Sequence, residues 1–254
     1  AIHNYFLTET FIMRARPDNQ QTVVSVSLPL VFSMAATTVM EFTDRVFLAN
    51  YSLDAIAAAL PAGIAVFLVL TFFTGITSYI NVFVAQYIGS GEPGRVGACI
   101  WQGIFISLFS SVILVMISLF SETVFQLAGH APEVQILETT YFRILCLGGG
   151  MNVLGTGLAC FFSGRGKTRP VMMINIIGMC FNIPLDYLLI NGLTLGGRSV
   201  VPELGIAGAA SATVASWTLI SLLYIMLIFN RDNEADWAVI SGRGFNRPLC
   251  MRII

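Results

Sequence analysis

Six stretches of about twenty or more mainly apolar residues dominate this sequence. Each is long enough to cross the hydrocarbon core of a bilayer as a single helix. They run over Thr22–Tyr51, Ala55–Ile88, Val96–Leu119, Val134–Phe162, Pro170–Ile190 and Leu204–Phe229. A soluble domain covers its surface with charge, at about a quarter of all residues. Here only 11% of the residues are charged while 56% are hydrophobic, too few charges to clothe a soluble chain of 254 residues. The sequence predicts an all-α integral membrane protein embedded in the lipid bilayer. A net charge of −1 gives no support to a nucleic-acid partner.

The first, second and fourth stretches exceed the minimum length, which predicts tilted helices or ends that protrude from the bilayer. The fourth carries Glu138 and Arg143 in its first turns and is the least regular of the set. The connections are short and rich in turn residues, as in GSGEPG at 89–94 and SGRGKTR at 163–169. Neither 121–133 nor 191–203 is long enough to fold alone. Three regions follow: residues 1–21 as an N-terminal segment, 22–230 as a six-helix transmembrane lobe, and 231–254 as a linker that runs into the start of another helix. The chain reads as the N-terminal half of something longer.

Basic residues set the orientation. With the N-terminus in the cytoplasm, the inner segments hold Arg14, Arg16, Arg95, Arg165, Lys167, Arg169, Arg231, Arg243, Arg247 and Arg252, ten of the thirteen. The outer loops hold only Arg198. This predicts a multi-pass protein of the plasma or inner membrane with both ends inside.

Charges within a span cost about 2.5–3.5 kcal/mol on insertion scales, so they mark candidate functional sites. Glu41, Asp44 and Arg45 fall within about one turn near the outer end of the first span, and the spacing lets Glu41 pair with Arg45. Asp44 would then be the less neutralised carboxylate. The alternative is an interfacial cluster that snorkels to water. In the fifth span Asn182 and Asp186 lie four apart on one face, and Pro184, which lacks an N–H, frees the carbonyl of Cys180. A carboxylate, an amide oxygen and a loosened carbonyl suit a proton or a small hard cation such as Na⁺. The alternative is an aspartate that only bonds a neighbouring helix. The small-residue start of the sixth span reads as close packing, with the Thr213 hydroxyl available to a polar site. Five cysteines without a C-x-x-C and two histidines outside the spans give no disulfide framework or zinc site. No nucleophile set, P-loop or H-E-x-x-H is present, so no enzyme is predicted and no cofactor is called for.

The stretches MEFTDRVFLAN (40–50), LDAIAAALPAG (53–63), FVAQYIGSG (83–91), NIPLD (182–186) and ELGIAGAASAT (203–213), with Lys167–Pro170 before the fifth span, resemble multidrug and toxic compound extrusion (MATE) transporters in order and spacing. The resemblance implies one lobe of a twelve-helix, two-lobe transporter, with the C-terminal lobe as its partner. It implies an antiporter that exports small organic cations or amphiphilic drugs against H⁺ or Na⁺ by alternating access. It also implies coupling-cation binding by Asp44, Asn182, Asp186 and Thr213. Glu41 and Arg45 are less usual neighbours, and the fixed cation beside Asp44 is expected to tune the balance between H⁺ and Na⁺. Pro184 is expected to let the lobe bend. Two other readings are a lipid-linked sugar flippase of related architecture, which would want several basic residues in its cavity, and a non-transporting bundle.

Overall fold

A computed structural model describes residues 19–195 and 198–253. Six helical units are long and apolar enough to cross a membrane. The first span is α1 (Asn19–Tyr51), and the second is α2 (Leu53–Ser78) continued by α3 (Ile80–Gly89). The third to sixth spans are α4 (Val96–Leu119), α6 (Pro132–Ser163), α7 (Arg169–Asn191) and α8 (Ile206–Ile228). Two short helices, α9 (Arg231–Trp237) and α10 (Arg247–Ile253), follow. The all-α, six-span reading therefore holds. The helix starts follow local chemistry. The Ser52 hydroxyl accepts the N–H groups of Asp54 and Ala55 at the start of α2. Pro132 and Pro170 occupy opening turns, where their missing N–H groups have no helical partner to lose.

The sequence reading differs from the structure in three places. The second span is interrupted at Tyr79, where α2 gives way to α3. Residues 121–133 are not a plain loop, since Ser121–Ala128 forms α5, closed by the left-handed Gly129 (φ 72°). Before the sixth span, β1 (Leu193–Leu195) and β2 (Arg198–Val201) pair as antiparallel strands. Arg14 and Arg16 lie outside the described residues.

The fourth span, the least regular in sequence, is the centre of the bundle. In its most apolar window 61% of residues are buried, against 22–39% for the other five. It packs against the second, third and sixth spans, while the first packs on the fifth and the fifth on the sixth. Gly148, Gly149 and Gly150 make this possible. Added Cβ atoms there would meet Val214 of the sixth span, Leu70 of the second and Leu114 of the third, and Ser111 of the third, respectively. Small residues let helices approach where no apolar driving force exists between them and lipid. Three contacts fasten the first span to the fifth and the loop before it. Asn175 Nδ2 donates to Ser33 Oγ (2.7 Å), Thr168 Oγ1 donates to the Val26 carbonyl (2.8 Å), and the rings of Phe47 and Tyr187 meet edge to face.

The charges at the start of the fourth span find partners. Glu138 is fully buried and one carboxylate oxygen lies 2.7 Å from His130 Nδ1, while Arg143 donates to Glu122 at 3.0 Å. The second Glu138 oxygen is buried without a hydrogen-bond partner. Removing the imidazole would leave the carboxylate with none. His130→Ala is expected to cost about 1–3 kcal/mol, the usual penalty for an orphaned buried acceptor, read as a lowered Tm in detergent. Recovery in the His130→Ala/Glu138→Leu double variant would trace the loss to this pair.

On the face where α3 ends and α7 begins, the segment after α8 crosses the bundle. Trp101 Nε1 donates to the Val239 carbonyl (2.7 Å), and Gln102 donates to the Gly244 carbonyl (2.9 Å) and accepts from the Asn246 N–H (3.1 Å). The Arg165 guanidinium lies 3.7 Å from the Phe161 ring centre and 4.7 Å from that of Trp237. Burial draws the Arg165 pKa down to about 10, against the opposing pull of Asp236, so the group stays charged near neutrality.

Candidate functional site

The first, second, fourth and sixth spans, with the start of the fifth, line a crevice of two adjoining compartments that share Thr37, Met40, Asn152 and Trp217. One, of about 430 Å³, is lined in part by Glu41, Asp44, Arg45, Tyr141 and Thr213. The other, of about 630 Å³, carries no charged side chain among its described lining and presents Ser33, Asn81, Asn152, Asn175 and Tyr224. Polar groups here have no lipid to avoid, since they face a cavity.

Asp44 sits where the first span turns inward and is 5% exposed. Its Oδ2 accepts a hydrogen bond from the Tyr141 hydroxyl at 2.9 Å, while Oδ1 is buried with no partner. Asp186 and Asn182 are fully buried, and neither carboxylate oxygen of Asp186 nor either amide atom of Asn182 is hydrogen-bonded. They stand outside the described lining of both compartments. Asp44 and Asp186 lie close enough to interact electrostatically. The two carboxylates leave three buried oxygens unsatisfied, and the unbonded Asn182 amide lies one helical turn before Asp186, so the region is rich in unmet acceptors. Each unsatisfied buried group costs about 1–3 kcal/mol. A proton or a cation with oxygen affinity would meet that demand.

Pro184 lies inside a continuous α7, its ring on an exposed face. It removes one hydrogen bond without breaking the helix. Thr213 lines the smaller compartment, and no hydrogen bond joins it to either aspartate. The pairing of Glu41 with Arg45 is not formed. Both side chains are exposed, they line the cavity individually, and no ion pair joins them. Water competes with so exposed a pair and each long side chain keeps its rotamer freedom. Asp44 between them is buried.

Sequence reasoning missed Tyr141, Asn152 and Trp217. Asn152 carried a usable signal, since an amide deep inside an apolar span is as anomalous as a carboxylate. Tyr141 offered a weaker one, because a buried phenol requires a partner without saying which.

Comparison with known proteins places this arrangement. The chain is 28% identical over 224 residues to a probable multidrug resistance protein NorM of Mannheimia succiniciproducens, covering 87% of this chain and 47% of that protein. It is 28% identical over 215 residues to the multidrug resistance protein MdtK of Pectobacterium atrosepticum, covering 84% and 45%. The chain thus spans about half the length of the curated relatives it matches. Among solved structures, MATE in complex with MaD3S superimposes with a TM-score of 0.79 at 22% identity over 94% of this chain and 52% of that one. A MOP superfamily transporter from Pyrococcus furiosus gives 0.77 at 21% over 94% and 51%. These two likenesses establish the fold, that of a multi-pass membrane protein. The MatE family model matches residues 29–188, from the first span through the fifth-span pair Asn182 and Asp186. With that match covering more than half of the sequence, the chain belongs to the MatE family.

Proposed function

We propose that this lobe is half of a cation-coupled antiporter that exports small organic cations or amphiphilic drugs by alternating access. The observation that carries the reading is the unsatisfied acceptor set of Asp44, Asn182 and Asp186. Such a set is unfavourable empty and favourable occupied, which is what a coupling site requires. In the proposed mechanism H⁺ or Na⁺ enters as a co-substrate and is held by the two aspartates, with the Asn182 amide oxygen as a neutral ligand. The Tyr141 hydroxyl fixes the orientation of the Asp44 carboxylate. Loading removes the mutual repulsion of the two carboxylates and allows the first and fifth spans to pack more closely. Pro184 gives the fifth span a place to bend, and Thr213 serves the cavity wall. An organic cation drawn to Glu41 and Asp44 in the smaller compartment competes with that loading, so one leaves as the other binds. Glu41 and Arg45, on either side of Asp44, tune the balance between ions.

The names of the relatives support a drug-exporting reading, and the absence of an assembled nucleophile set among the described residues supports a transporter over an enzyme. Among the described cavity-lining residues only Arg45 is basic, which speaks against a carrier of phosphate-bearing lipid-linked sugars. The face bearing Arg95, Arg165, Lys167, Arg169 and the segment after α8 is taken as cytoplasmic, with a C-terminal lobe completing the cavity. No resident cofactor is required.

The test is efflux of a cationic dye from proteoliposomes holding the full-length protein, under an imposed H⁺ gradient and then a Na⁺ gradient. Movement driven by one gradient is expected and names the ion. Equal, gradient-independent movement would overturn antiport.

A further inference from the structure

The segment after the sixth span would ordinarily be read as a flexible tether between lobes. Its contacts say otherwise. Gly97, in the first turn of the third span, faces the backbone of Trp237 and Ala238 so closely that a Cβ would overlap the Ala238 carbonyl. Gly242 is its counterpart, with no room for a side chain against Gly97 and Ala98. Two glycines thus let one backbone lie directly on another. Ala238 adopts a left-handed φ of 51°, the one non-glycine residue described that does so. That conformation is strained for an L-residue and persists only where surroundings enforce it. Val239 beside it is fully buried. The Glu234 carboxylate closes the turn by accepting the N–H groups of Ile240 and Ser241.

From the third span come the bonds of Trp101 and Gln102, both to the segment's main chain. Gln102 is itself fully buried, so its amide is committed to this segment and to its own helix. From the loop after the fourth span comes Arg165, stacked between Phe161 and Trp237.

We propose that residues 231–246 form a fixed strap that ties the ends of the third and fourth spans together and moves with this lobe as one rigid body throughout the transport cycle. The strap is a conformational device rather than a tether. Because it stays docked, relative motion of the two lobes must be taken up elsewhere than in this segment. The idea rests on the two-lobe transporter reading for its role, but the docking is measured without transport.

The experiment uses the full-length protein in nanodiscs with Cys180, the exposed cysteine described, replaced by Ser. Spin labels are placed at Ser90→Cys and Arg243→Cys, both exposed, and double electron–electron resonance is recorded at acid and alkaline pH, with and without dye. A single narrow distance that is the same in all conditions is expected. Trp237→Ala, which touches only the strap's side of the contact, should broaden it, and Gly97→Leu should broaden it further. A wild-type distance that is broad, or that shifts between conditions, overturns the strap. So does a narrow distance indifferent to both substitutions. A narrow, responsive distance in a protein that moves no dye would uphold the strap and sink the transporter reading instead.

Discussion

Asparagine in place of Asp186 is expected to reduce gradient-driven dye efflux by about tenfold or more, while the lobe stays folded. The two halves of that expectation come from one observation. Asp186 is fully buried and neither oxygen is hydrogen-bonded, so the native fold gains nothing from its charge. Asparagine has nearly the same shape and no charge to bury. An unpaired buried charge costs more to desolvate than a neutral amide, so the Tm in detergent should hold or rise. Transport should respond in the opposite direction. An amide accepts no proton at physiological pH and holds a cation less strongly than a carboxylate. Losing 1.4 kcal/mol of ion binding is a tenfold loss in affinity. Preserved efflux with a raised Tm would make Asp186 a buried passenger. Lost efflux with a collapsed Tm would make it structural. Only loss at constant or higher Tm places it in the coupling step.

The second large effect concerns assembly. Gly208→Val is expected to cost about 3 kcal/mol or more, at the upper end for overpacked sites. Gly208, near the start of the sixth span, faces main-chain atoms of Leu189 and Ile190 in the fifth, where a Cβ would overlap the Leu189 carbonyl. No rotamer change relieves a clash with backbone. The helices would have to separate one turn from Asp186, so the site should suffer along with stability. Gly75→Ala is the control, since a Cβ there meets nothing within 4 Å. It should leave the Tm unchanged or slightly higher, because alanine is the better helix former. Equal Tm values for the two variants in a fluorescence-detected melt would refute the packing argument.

The contrast between these two predictions shows what could be read in the sequence. The number of spans and their limits within a few residues follow from hydropathy alone, because the bilayer fixes a length. Asp44 and Asp186 stood out because charge is costly in a membrane, and that cost does not depend on neighbours. What escaped was pairwise. Tyr141 is a hydroxyl in an apolar helix until Asp44 is known to face it. Glu41 and Arg45 have pairing spacing, yet spacing cannot say that water takes both. The fourth span appeared least regular because Glu138 and Arg143 sit in its first turns, and their partners, His130 and Glu122, lie outside it. Nothing in the sequence says that Gly148, Gly149 and Gly150 serve three different neighbours.

The hydroxyl bonds within the spans bear on how the protein enters its membrane. Thr38, Thr43, Thr74, Thr77, Ser110, Ser111, Thr140, Thr156, Ser216 and Thr218 each donate to the carbonyl four residues earlier in the same helix. Such a helix brings its hydroxyls into lipid already satisfied, without waiting for a neighbour. Most of the chain can therefore be threaded into the bilayer one helix at a time, with shape complementarity deciding assembly afterwards. The first span is an exception, since its Asp44 bonds Tyr141 of the fourth, and so is the fifth, whose Asn182 and Asp186 find no partner within their own helix. The short β1–β2 strand pair after the fifth keeps the sixth span close behind, so the two can be expected to leave the translocation machinery as a pair. The helix that carries Asn182 and Asp186 would then be one whose biogenesis depends on its successor.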